Sequence, residues 1–226
     1  MARPLFDSQL VPVSALAGEA ALPPERLAPD WLRQRFAAPP PVWTPETQDQ
    51  AWFARPGTPT PAAVLVPLVQ RPDGLAVLLT QRTAHLHDHA GQISFPGGRS
   101  EAHDADAVAT ALRETEEEIG LAPRHIEVIG QLPDYFTGTG YRVTPVAALV
   151  APPFALRADP FEVAEIFEVP LAFLMDGARH QVRTVQLPDG QGSRSFYAMP
   201  YENYFIWGAT AGMLRNLFHF LRAEAV

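Results

Sequence analysis

One stretch constrains this chain more than any other: Arg113-Glu114-Thr115-Glu116-Glu117-Glu118-Ile119-Gly120-Leu121, standing behind Phe95-Pro96-Gly97-Gly98 and a short acidic loop. At roughly 100° per residue, Ala107, Val108, Ala111, Leu112, Thr115 and Ile119 gather on one side of a helix. Glu114, Glu117 and Glu118 share the adjacent sector, and Glu116 falls elsewhere. Carboxylates three and four positions apart repel one another, at a cost of about a few tenths of a kcal/mol per pair, so a cation belongs among them. Hard oxygen donors of this kind suit Mg²⁺ or Mn²⁺, with substrate phosphates completing the shell. Arg113 precedes Glu117 by one helical turn and is placed to orient it, and Gly120 occupies the position where a left-handed cap often ends a helix. Taken alone, a glutamate run is a solvated face and Phe-Pro-Gly-Gly is a turn. In this order they make a tight turn directly ahead of a carboxylate-bearing helix, which suits gripping a divalent metal and a phosphate together.

At 226 residues the chain can bury a substantial core, and one catalytic domain with an arm is expected rather than two full domains. There is no cysteine, hence no disulfide framework, in keeping with a reducing cytoplasm. The formal charge of −8, with no Lys/Arg-rich stretch to offset it, argues against a nucleic-acid surface. An anionic substrate would then need a bound metal as its local counter-charge. No span has the apolar length of a transmembrane helix, and the N-terminus lacks the basic region and apolar core of a signal peptide. A soluble cytoplasmic protein with no membrane partner is expected.

Residues 1–60 read as a proline-rich arm, with a short helix over 29–36 between Pro23-Pro24 and Pro39-Pro40-Pro41. Its scattered Leu, Trp and Phe need a surface to pack on, and homodimerisation through the arm is one expectation. The domain proper is expected over 61–226. Apolar runs at 63–69 and 75–80 around Arg71-Pro72-Asp73-Gly74 read as a hairpin. Strands are expected near 126–132, 143–150, 162–169, 181–186 and 195–198, with a short helix after Pro170. The chain closes with Tyr204-Phe205-Ile206-Trp207-Gly208 and an amphipathic helix over 209–223. The pattern suggests a mixed sheet between helices.

The stretch ending at Leu121 resembles the signature of the Nudix hydrolases: Gly, five residues, Glu, seven residues, Arg-Glu, a hydrophobic, any residue, Glu-Glu, any residue, Gly and a hydrophobic. The second half matches from Arg113 to Leu121, with Thr115 where a hydrophobic is expected. In the first half the acid counted forward from Gly98 is Asp104, separated from Arg113 by eight residues instead of seven, while Ala105 stands in strict register. A second match, Leu78-Leu79-Thr80-Gln81-Arg82 followed by Gly91-Gln92-Ile93-Ser94-Phe95-Pro96-Gly97-Gly98, resembles the segment that marks the coenzyme A pyrophosphatase branch. Thr83 replaces the Ser or Ala usual there, and His87 replaces an Arg, exchanging a permanent cation for one largely neutral at pH 7. Tyr141-Arg142-Val143-Thr144-Pro145-Val146 and Ile206-Trp207-Gly208-Ala209-Thr210 look like stretches of the same branch, and Trp207 reads as packing.

This resemblance implies the Nudix fold, an α/β/α sandwich with a mixed β-sheet between α-helices. It also implies metal-dependent hydrolysis of the pyrophosphate of coenzyme A or its derivatives, giving 3′,5′-ADP and 4′-phosphopantetheine or its acyl form. Glu114, Glu117 and Glu118 would hold Mg²⁺ or Mn²⁺, Arg113 would orient Glu117, and Glu162 or one of the helix carboxylates would take the proton from the attacking water. Arg82, His87, Gln92, Phe95, Gly97 and Gly98 would meet the substrate. For Glu162 and nearby Glu165 a solvated acidic loop is an equal reading. The alternating His85, His87 and His89 read as a plain loop, since no Cys accompanies them. Two rivals stand beside this activity: hydrolysis of ADP-ribose or a dinucleotide, and a non-catalytic nucleotide-sensing domain, which would normally lack one of the three carboxylates.

Overall fold

The computed structural model describes residues 6–46, 57–84, 91–187 and 192–224. Its strands are β1 (Val13–Leu16), β2 (Thr60–Arg71), β3 (Gly74–Arg82), β4 (Ile93–Ser94), β5 (Gly97–Arg99), β6 (Ile126–Gln131), β7 (Tyr135–Phe136), β8 (Tyr141–Val150), β9 (Val163–Pro170), β10 (Gln181–Gln186), β11 (Ser193–Tyr201) and β12 (Tyr204–Trp207). Its α-helices are α1 (Pro29–Ala37), α2 (Ala107–Ile119), α3 (Leu171–Leu174) and α4 (Gly208–Arg222). None is long and apolar enough to cross a membrane.

β2 is a nearly unbroken apolar run because both of its faces are covered. On one face Ala63 and Leu65 pack with Ala111 of α2 and with Val146 and Ala148 of β8. Val69, Leu78 and Val150 extend that layer to Ile119 and Leu121 at the end of α2. On the other face Val66, Leu68, Val77 and Leu79 join Leu214, Leu217, Phe218 and Leu221 of α4 in the main core. The expected α/β/α sandwich is thus present, with a mixed sheet: β2 runs parallel to β8 from Thr60↔Tyr141 to Val69↔Val150, and the other pairings are antiparallel.

The hairpin β2–β3 is bonded only from Leu68↔Val77 to Arg71↔Gly74. Beyond that the strands part, and residues 93–99 enter the gap. β4 pairs with β3 (Thr80↔Ser94, Gln81↔Ile93), and β5 pairs with β2 from Ala62↔Arg99 to Val64↔Gly97. Between them the Leu65 amide donates to the Pro96 carbonyl at 2.9 Å. Phe95-Pro96-Gly97-Gly98 therefore bends at Pro96 from one short strand into the next, wedged into a splayed hairpin, and does not close the tight turn that its composition suggests. Glycine is required there for contact with the protein itself: Gly97 has φ +150°, and a Cβ on it would lie 2.5 Å from Val64 Cα.

α2 begins where the Asp106 carboxylate accepts from the Ala109 amide at 2.8 Å, and it ends at Gly120 (φ 69°), whose amide donates to Glu116. Thr115, at the position where a hydrophobic residue is expected, is fully buried and brings its own partner, since Oγ1 donates to the Ala111 carbonyl at 2.6 Å.

A second, four-stranded antiparallel sheet has the order β1-β10-β11-β12. Its first strand comes from the proline-rich segment, so the described part of 1–60 is woven into the body instead of standing off it as an arm. Leu32 of α1 is fully buried in the main core. Arg35 donates to the carbonyls of Phe220 (3.0 Å) and Ala223, and Arg26 donates to that of Arg222 at 2.9 Å. These carbonyls have no partner within α4, so two arginines from the N-terminal segment cap the last helix.

Candidate active site

α2, the loop before β9 and the end of β3 bring the acidic residues together. The amides of Arg157 and Asp159 donate to the carbonyls of Ile119 and Glu118 at 2.8 Å each, satisfying the open C-terminus of α2. Thr83 ties the same loop to β3: its amide bonds the Glu162 carbonyl at 3.0 Å and its Oγ1 the Phe161 carbonyl at 2.8 Å. Glu162 is thereby carried to the inner side of α2. Glu165 is not, because the Tyr204 hydroxyl donates to it at 2.7 Å on the far side of β9.

The three helix carboxylates share a sector but differ in depth. The side chain of Glu117 is 61% exposed, that of Glu114 is 17% and that of Glu118 is 6%. Arg113 engages all five of its N–H groups, two of them on the outer two carboxylates. Nε and Nη2 donate to Asp104 at 3.0 and 2.9 Å, and Nη2 also reaches the Arg99 carbonyl at 3.1 Å. Nη1 serves Glu114 at 2.9 Å and Glu117 at 3.0 Å. The paired guanidinium holds Asp104 well below the usual carboxylate range. Asp104 also accepts from the Glu101 amide and Thr110 Oγ1 at 2.9 Å each. It is thus the loop-supporting acid in spite of its one-residue offset, because the loop before Asp106 absorbs the extra residue.

Glu118 is held differently. Among the described residues it accepts one hydrogen bond, from the Gly97 amide at 3.1 Å, and the Arg82 guanidinium lies 3.8 Å away. Burial pushes its carboxyl up to about 8, and Glu162 and Glu114 add to the rise. Glu114 is also raised, again chiefly by burial. Arg82 stands 4.0 Å from Glu162, and its buried Nε has no hydrogen-bond partner among the described residues. Gly98 lies directly under Glu114: a Cβ there would fall 2.5 Å from Oε2.

The donor set suits a hard divalent ion: carboxylates only, one of them buried with a single hydrogen bond and raised by its neighbours. As they stand, with Glu114 and Glu117 turned onto Arg113, no three acids or histidines among the described residues converge as a metal cluster.

The remaining expected contacts divide. The amide of Arg82 donates to the Gln92 carbonyl at 3.0 Å and that of Gly91 to the Arg82 carbonyl at 3.2 Å, which joins both flanking segments beside the acids. Phe95 leaves the set: its side chain is 2% exposed in the main core and carries packing. His87, like His85 and His89, lies outside the described residues. Asp104 and Thr83 were readable only as departures from a pattern; the partners of Asp104 lie within nine residues of it, and those of Thr83 come from the loop before β9.

The chain is similar to known proteins in sequence and in structure. A model of the NUDIX domain matches residues 59–181. An Escherichia coli K12 protein described as uncharacterized Nudix hydrolase NudL is 46% identical over 157 residues, covering 69% of this chain and 80% of its own. Among solved structures, the Nudix hydrolase RenU of M. smegmatis is similar at 25% identity and a TM-score of 0.45, covering 58% of this chain and 80% of that one. A C. elegans Ap4A hydrolase is similar at 22% identity and a TM-score of 0.43, covering 49% and 80%. On the family match and the identity to NudL, this chain belongs to the Nudix hydrolases.

Proposed function

We propose that the protein hydrolyses the pyrophosphate bond of coenzyme A or its acyl and disulfide derivatives, releasing 3′,5′-ADP and the 4′-phosphopantetheine half. The observation that carries this reading is the juxtaposition at Arg82. The two segments resembling the coenzyme A branch are bonded to each other through Arg82, Gly91 and Gln92, and the Arg82 guanidinium faces Glu118 and Glu162. Substrate recognition and the acidic centre then share one side chain, whose Nε, unbonded among the described residues, is free to meet an anionic partner.

Nudix hydrolases generally use divalent ions, and Glu114, Glu117 and Glu118 are the residues that would hold Mg²⁺ or Mn²⁺ here. Such an ion supplies neutralisation of the pyrophosphate oxygens and acidifies an attacking water. The chain does the rest by position. Asp104 fixes Arg113, and Arg113 presents Glu114 and Glu117. The Gly97 amide keeps Glu118 directed at the wedge. Glu162, exposed on one side and fixed through Thr83, is the group that would accept the proton from water.

Coenzyme A, ADP-ribose and diadenosine polyphosphates, each incubated with Mg²⁺ or Mn²⁺ and resolved by chromatography, test the reading. Release of 3′,5′-ADP from coenzyme A with the highest kcat/KM of the panel is the expected result. Preference for ADP-ribose or a dinucleotide would replace the substrate, and no turnover of any with all three glutamates intact would favour a sensing role.

A further inference from the structure

The wedge between β2 and β3 carries two parts of the site, the Gly97 amide that holds Glu118 and the Gln92 carbonyl that holds Arg82. Its first strand, β4, has only two paired positions with β3. A two-residue strand is weakly held by its own ladder. What fastens it from the opposite layer is Thr210. In the first turn of α4 this residue is 3% exposed, and its Oγ1 donates to the Ile93 carbonyl at 2.9 Å. Gly208, two residues earlier, lies against Gln92: a Cβ there would be 3.8 Å from Nε2. On the far side of Ile93, Thr80 Oγ1 meets Ser94 at 3.2 Å. The start of the wedge is thus clamped between β3 and α4.

We infer that Thr210 is a positioning residue for the hydrolysis, holding the wedge in the register in which Gly97 meets Glu118 and Gln92 meets Arg82. The role rests on the reading of Arg82 and Glu118 as substrate and metal contacts. α4 is a sound anchor, since its apolar face lies in the main core and its C-terminus is capped by Arg26 and Arg35. Without the Thr210 hydroxyl the Ile93 carbonyl loses its α4 partner, and the wedge exchanges between seated and unseated forms. Only the seated form binds ion and substrate, so apparent affinities weaken by the seated fraction, while saturating ligand restores that form.

The test compares wild type, Thr210→Val, which keeps the shape, and Thr210→Ser, which keeps the hydroxyl. Three readouts are amide hydrogen exchange, Mn²⁺ binding followed by loss of the free-ion EPR signal, and steady-state kinetics on coenzyme A. If the seated fraction falls to about a tenth in Thr210→Val, the Mn²⁺ Kd and the KM each rise about tenfold, with kcat at saturation within about twofold of wild type. Exchange should quicken at Leu65 and Arg82, whose amides bond the wedge carbonyls, but not at the second sheet. Thr210→Ser should return every value toward wild type. Unchanged exchange at the wedge, faster exchange throughout the chain, or a loosened wedge with wild-type Mn²⁺ affinity would each overturn the inference. Failure of the wild type to cleave coenzyme A would count against the proposed substrate alone, because exchange and Mn²⁺ binding still decide the role of Thr210.

Discussion

Two clusters of charge lie on opposite faces of the central sheet, and they follow opposite rules. Around α4, Arg215 donates to Glu19 with both terminal nitrogens, shares Nη1 with His180 Nδ1 at 3.0 Å and has Glu46 at 3.8 Å. Glu46 also accepts from the Tyr197 hydroxyl at 2.9 Å, and His180 Nε2 meets the Leu174 carbonyl at 2.8 Å. The guanidinium draws Glu19 down to about 2, chiefly by its hydrogen bonds. Around α2, by contrast, Glu118 and Glu162 face Arg82, which sits beyond hydrogen-bond distance, and burial lifts Glu118 to about 8. A network paired through the terminal nitrogens of Arg215, with only its Nε left unbonded among the described residues, joins the N-terminal segment to the last helix. A network whose cation stands off from its carboxylates keeps capacity for charge from outside, as the proposed chemistry needs.

The largest effect should come from the open cluster. Glu118→Gln removes a proposed ligand and should lower kcat by about a thousandfold, equivalent to about 4 kcal/mol. It should also stabilise the metal-free protein above neutral pH. The folded carboxyl titrates at about 8 against an ordinary 4.5, so its contribution to stability is complete below 4.5 and is lost as pH rises through 8. Melting curves in EDTA at pH 5 and pH 8.5 should therefore show a fall in Tm in the wild type that the variant lacks. Glu117→Gln, on the exposed side, should lose turnover without changing either melt. Turnover near wild type in both variants would mean that the open cluster is not catalytic.

The open cluster was largely legible in sequence, because Arg113, Glu114, Glu117 and Glu118 sit on one helix and local spacing fixes their neighbourhood. The closed one was not: Glu19, Glu46, His180 and Arg215 come from four separate segments, and nothing local announces their meeting. The wedge failed for a related reason. Pro and Gly punctuate turns in most contexts, but residues 93–99 take their conformation from pairing with two separate strands. β1 likewise draws its partner, β10, from the far end of the chain. The resemblance implied Phe95 as a substrate contact, yet alternation along the wedge turns its side chain into the core.

Next in size is Glu19→Gln. Arg215, with its side chain 5% exposed, would lose its closest counter-charge, and removing one partner of a buried pair costs about 3–5 kcal/mol. Urea denaturation should register that loss, while kcat/KM of the folded fraction stays unchanged. The pH dependence has the opposite sense to that of Glu118. With its folded carboxyl at about 2, Glu19 stabilises the protein above 4.5 and loses that contribution as pH falls through 2, so the variant should flatten the acid limb.

Asp104→Asn tests the boundary between the two kinds of network. Asp104 meets no proposed substrate atom and instead holds Arg113 by two hydrogen bonds. Loss of such a support typically costs about 10–100-fold in metal affinity or activity. The Mg²⁺ midpoint should rise by that order, and adding Ala105→Glu, which restores the expected register, should not rescue it. Rescue would show that the loop accepts either register.

The smallest effect separates redundancy from importance. Tyr197→Phe deletes the hydroxyl that donates to Glu46, a loss of about 1 kcal/mol for a net hydrogen bond. Glu46 would still have His219 at 3.4 Å and Arg215 at 3.8 Å, so no bare buried charge results and the cost should not grow toward that of Glu19→Gln. Burial and the neighbouring Glu46 already raise the phenol above its ordinary value, keeping it the donor at neutral pH. A drop of about 1 kcal/mol in urea with unchanged turnover would fit a closed network that shares its load. A tenfold loss of turnover at unchanged stability would break the comparison, because the α4 cluster would then reach the chemistry on the opposite face.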